Sequence, residues 1–166
     1  MTGSQGAWPG PCGIEIGASS TTLDGLKIVD ARPKPLDLAH DLGAGQMRLS
    51  MPTVTALQRY GFLLTQSGRM LGSDGEMSVE MANGVAYQIR FGDVATSGTD
   101  AKAAGGDRYL FVTATWDQAR ATKYGDTTGS GEKSARDLNV RFADWFYVIS
   151  NADFQKIRLK KAQVVR

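Results

Sequence analysis

The chain has one cysteine and one histidine in 166 residues. Cys12 has no partner for an internal disulfide, so it gives no redox-compartment signal and can pair only between chains. With His40 alone, zinc sites and ordinary Ser-His or Cys-His catalysis have few possible members. No G-x-S-x-G, P-loop, H-E-x-x-H or C-x-x-C occurs. No apolar run approaches the roughly 20 residues of a membrane-spanning helix. The first residues lack the charged-then-apolar order of a secretory signal, so as written the chain is expected to be cytoplasmic. Net charge is +2, too small to imply a polyanionic partner, and no nucleic acid is expected.

What is present is a strong β signal. From Asp74 to Val94 the first arm places Met77, Val79 and Met81 on one face and Glu76, Ser78 and Glu80 on the other. Asn83-Gly84 predicts a two-residue turn, because both central residues must take positive φ. The second arm places Val85, Tyr87, Ile89 and Phe91 against Ala86, Gln88 and Arg90. Such period-two alternation means one covered face and one wet face, as in an antiparallel sheet.

Residues 1–20 are rich in glycine, with little periodicity, and read as an irregular or non-native leader. Residues 21–166 read as one domain. Thr22 to Ile28 is expected as a short helix, and Ala31 to Pro35 as extended chain, because Pro33 and Pro35 disfavour helix before them. Leu36 to Leu42 reads as a second short helix. Ser50 caps a third, with Pro52 in its first turn and an end at Gly61. Phe62 to Gln66, Arg69 to Leu71 and the two hairpin arms then read as a four-stranded meander. Arg108 to Thr115 is a central strand, and Thr122 to Gly131 a loop. Ser130 to Trp145 is an amphipathic helix on Ala135, Leu138, Phe142 and Trp145. Trp145 to Ile149 is a short strand, and Asn151 caps a last helix holding Phe154 and Ile157. The fold class is α+β, an antiparallel meander sheet of about five strands with helices packed on one face.

Candidate chemistry is sparse. Asp37, His40 and Asp41, at i, i+3 and i+4 on a helix, share one face and offer two carboxylates and an imidazole. That set suits a divalent metal or an oriented base, although a solvated polar face explains the same spacing. Asp74, Glu76, Asp93, Asp100 and Asp107 lie at expected turns, where turn chemistry accounts for them. The glycines of residues 125–131 lack the lysine and preceding strand of a phosphate loop. The tail after Phe154 is basic, and its alternation suits a charge-protected edge strand. Trp145 and Tyr147, with Lys160 and Lys161, are the candidate binding residues.

Three segments, residues 25–42, the hairpin ending NGVAYQIRFGDV, and residues 108–119 with 138–165, together resemble a family of large bacterial envelope proteins, domain of unknown function 4340. RFADWFYVIS is their most specific part, and the likeness runs over residues 23–166. The resemblance implies a C-terminal α+β module of an extracytoplasmic, membrane-tethered protein associated with gliding-motility-type ABC transporter accessory proteins. It implies assembly or binding and supplies no catalytic residues. The expected function is a non-catalytic binding or assembly module without a cofactor, partnered by another protein or by itself as a homo-oligomer. The alternative is a small hydrolase of activated or phosphate esters, assisted by a divalent metal at Asp37, His40 and Asp41.

Overall fold

The computed structural model describes residues 27–38, 49–95 and 106–157. Seven strands and four helices are labelled in chain order: β1 (Ile28–Pro33), α1 (Met51–Arg59), β2 (Phe62–Leu64), β3 (Met70–Gly72), β4 (Glu76–Glu80), β5 (Val85–Val94), β6 (Arg108–Trp116), α2 (Gln118–Lys123), α3 (Ser130–Ala143), β7 (Trp145–Ile149) and α4 (Asn151–Ile157). Five strands form one antiparallel sheet in the order β1-β7-β6-β5-β4, and β2 and β3 form a separate hairpin. The α+β class with a five-stranded antiparallel sheet is therefore as the alternation predicts. The four-strand meander is corrected, because β2 and β3 leave the main sheet. The short helix expected to reach Ile28 is corrected there too, since Ile28 opens β1.

The predicted alternation places side chains on both sheet faces. On one, Met77, Phe91, Leu110, Val112 and Ile149 pack with Phe154 and Ile157 of α4 and with the half-buried Phe142 of α3. On the other, Tyr109, Phe111, Phe146 and Val148 pack with Leu57 of α1, Phe62, Met70 and Leu38. The second face is thus covered as well, by α1 and the β2–β3 hairpin, beyond the single helical layer expected. Phe62, Phe111 and Phe146 meet as a ring cluster, Phe62 stacking on Phe146 at 5.6 Å. Burying each such side chain stabilises by roughly 2 kcal/mol or more.

The caps follow from local chemistry. The Ser50 hydroxyl accepts from the Thr53 N–H (3.4 Å), with Pro52 in the first turn of α1. Asp117 accepts from the N–H groups of Ala119 and Arg120, starting α2, a helix the sequence reading left out. Ser150, and not Asn151, accepts from the Asp153 N–H at the start of α4. Helix α3 stops at Ala143, so Trp145 begins β7 instead of ending the helix.

The β4–β5 turn is also corrected. Met81 donates to Val85 O (2.8 Å) and Gly84 donates to Met81 O (3.1 Å), closing a three-residue loop with Gly84 at φ 83°. That is a turn followed by a left-handed residue, the next commonest hairpin form after the two-residue turn. The loop is locked from below, because Trp116 Nε1 donates to Asn83 O (3.1 Å). Gly131, in the first turn of α3, lies so close that a Cβ there would stand 2.1 Å from Asn83 O. A Gly131→Ala substitution is expected to lower stability by about 2 kcal/mol or more in chemical denaturation, against a small gain for an unhindered helical glycine.

Candidate functional site

Strand β6 pairs with β5 from Arg108 to Trp116. On its other side β7 pairs only with Arg108, Tyr109 and Leu110, while all five β7 residues pair with β1. Beyond Leu110 the side of β6 facing away from β5 lies against α3. Asn139 fills part of the missing strand: its Oδ1 accepts from the Ala114 N–H and its Nδ2 donates to the Ala114 carbonyl, both at 2.7 Å. Between the two elements is a cavity of about 230 Å³, lined by Val112, Thr113, Ala114 and Thr115 of β6 and by Asn139, Phe142 and Ala143 of α3.

Two cations stand behind its walls. Lys34 follows β1, and its N–H donates to Asp144 O (2.8 Å), tying the end of β1 to the α3–β7 junction. Its Nζ donates to Phe142 O (2.7 Å), a carbonyl in the last turn of α3 that also accepts from the Asp144 N–H. Nζ also sits 3.9 Å from the Phe111 ring centroid and 5.6 Å from that of Phe146. Lys34 is 6% exposed, and among the described residues no carboxylate lies within ion-pair distance of it. Burial pushes its ammonium down to about 7; Asp144 pulls the other way, and Arg90 adds to the depression. Arg90, on β5, donates from Nη1 to Thr113 Oγ1 (3.1 Å) and from Nε to Met70 O (2.9 Å), with Glu76 Oε1 at 3.8 Å from Nε. Burial, opposed by Glu76, holds its guanidinium below its ordinary range. Chemically, the slot offers hydroxyls and an amide at its surface and two positive groups within one hydrogen bond of its walls.

None of the candidate site residues that the structure describes lines the slot. Asp37 accepts from the hydroxyls of Thr53 and Ser50 and from the Leu38 N–H. Those bonds, Thr53 first, hold its carboxyl below the usual range, and they commit it to the start of α1. His40, Asp41, Lys160 and Lys161 lie outside the described residues. Among the described residues no group of three or more His, Cys, Asp or Glu side chains converges as a metal site would require. Trp145 is 43% exposed, beside the last residue of α3, and Tyr147 is half-buried with its ring against Phe142. The turn carboxylates mostly have structural partners: Asp74 pairs with Arg108, Glu76 with Arg69 and Arg90, Asp93 accepts from Ser73, and Asp107 accepts from Asn151 N–H. Asp100 lies outside the described residues. In the glycine-rich loop, Asp126 accepts from the hydroxyls of Thr128 and Ser130, so the loop's donors are taken by its own carboxylate.

Lys34, Arg90 and Asn139 were not singled out from sequence. Asn139 left a trace, a polar residue at i+4 from Ala135 and i−3 from Phe142 on the apolar stripe of α3. Lys34 left only its place between two prolines. No protein-family model matches the chain, and no curated protein or solved structure does.

Because Lys34 is depressed from 10.5 to about 7 on folding, the unfolded chain holds more protons between those values. Stability therefore rises with pH across that window, and the cost of the buried charge is fully present below it. Denaturation midpoints are expected to report a gain of roughly 2 kcal/mol between pH 7 and pH 9. Lys34→Met is expected to remove that slope.

Proposed function

We propose that the chain is a non-catalytic binding module that receives a small group or the end of a chain in the slot between β6 and α3. The observation that carries this reading is the early departure of β7, which leaves the β6 edge from Val112 to Thr115 facing α3. Size decides between possible occupants. At about 230 Å³ the slot is smaller than the roughly 300–1,000 Å³ of pockets that enclose drug-sized ligands. A through-running partner strand does not fit either, because Asn139 already holds the Ala114 N–H and carbonyl that such a strand would need. The resemblance to envelope proteins with assembly roles agrees with a module that captures part of another protein.

The test is amide chemical-shift mapping with short N-acetylated tripeptides. Shifts are expected to cluster on residues 112–115 and 139–143. Filling the slot with Ala143→Leu is expected to weaken binding at least about tenfold while leaving the rest of the spectrum in place. Shifts confined to other surfaces, or binding unaltered by Ala143→Leu, would remove this reading.

A further inference from the structure

Resting on that reading, we infer that the slot takes the free C-terminal carboxylate of a partner polypeptide, drawn to the Lys34 ammonium and the Arg90 guanidinium behind its walls. Three observations converge on this occupant. First, the slot is closed to a continuing chain, since Asn139 occupies both polar groups of Ala114. A segment laid along β6 from its Val112 end must therefore stop there.

Second, the cations are linked to the slot itself. Arg90 is hydrogen-bonded to Thr113 and Lys34 to the carbonyl of Phe142, and both Thr113 and Phe142 line it. Third, positive charge there is undercompensated. Arg90 shares Glu76 with Arg69. Lys34 hydrogen-bonds only a neutral carbonyl among the described residues, and Asp144 is the carboxylate that favours its charge, from beyond ion-pair distance. The other elements packed on its amine, β6, β7 and α3, present Phe111, Phe146 and the Phe142 carbonyl. An anion entering the slot is attracted by two poorly solvated cations one hydrogen bond behind its walls, where the low dielectric strengthens the attraction. Capture of a chain terminus by such a cluster also needs no continuous strand.

The inference has a proton signature. A carboxylate binds best to protonated Lys34, so binding above neutrality takes up a proton and affinity falls as pH rises.

The experiment titrates the full chain with N-acetyl-Gly-Ala-Val as the free acid, with the same tripeptide as its C-terminal amide, and with acetate, following the amides of residues 112–115. The acid is expected to bind at least about ten times more tightly than the amide or acetate. Its affinity is expected to be about tenfold weaker at pH 8 than at pH 6, a dependence that Lys34→Met removes. Arg90→Gln, read at pH 6 where Lys34 is already largely protonated, is expected to weaken the acid about tenfold, which keeps the test decisive if Lys34→Met does not fold. Equal binding of acid and amide at residues 112–115 would overturn the carboxylate while leaving the slot reading intact. Acetate binding as tightly as the tripeptide acid would overturn the chain terminus. No shift at these residues with any probe would remove the slot reading itself.

Discussion

The structure turns on a mismatch of length between two neighbouring strands. Strand β6 runs nine residues and is paired with β5 along its length, whereas β7 runs five and stays beside β6 for three pairs. Backbone N–H and C=O groups left inside a fold need partners. The space that β7 vacates is therefore filled by α3, whose Asn139 supplies one donor and one acceptor in the geometry of a strand. A side chain can satisfy one residue in this way. It cannot replace a whole strand, and the remainder of the gap is the slot.

The same departure explains the buried lysine. Strand β7 follows β1 instead of β6, which brings the end of β1 under the last turn of α3. The backbone there is fixed by Pro33 and Pro35, and Lys34 lies against the Phe142 carbonyl at the end of α3. A neutral aliphatic residue would leave that carbonyl only the Asp144 N–H, and a carboxylate would be repelled by the negative end of the helix. An amine suits the place in either protonation state, because both states donate a hydrogen bond. The cost of its charged form is moderated by Phe111 and Asp144, and raised by Arg90.

Much of the fold was legible in the sequence because it is local. The arms of the β4–β5 hairpin follow from alternation, α1 from Ser50 and Pro52, and α3 from the spacing of Ala135, Leu138 and Phe142. The errors lie where tertiary context decides. Ile28 reads as helical until β7 offers it a partner. The strands β2 and β3 read as part of one meander until Phe62 and Met70 turn onto Phe111. Asn83-Gly84 fits two turn types by composition, and the hydrogen bonds of Met81 and Gly84 choose between them. The slot was less legible still, because its walls come from β6 and α3 and the cations behind them from β5 and the residue after β1, which meet only in three dimensions. Asp37 stood out for its spacing to His40, yet its carboxylate serves the start of α1. Lys34 carried no signal beyond its place between Pro33 and Pro35.

The central claim is that a buried, weakly compensated amine sits behind the β6–α3 slot. Its most direct test is a titration of the Lys34 side chain itself, by carbon-detected NMR of protein labelled at the lysine Cε and assigned with Lys34→Met. The account predicts a midpoint near pH 7, about where burial places it, and well below the ordinary lysine range near 10.4. A Lys34 midpoint within that ordinary range would contradict the account, since it would mean an amine in contact with water and not one held beneath α3.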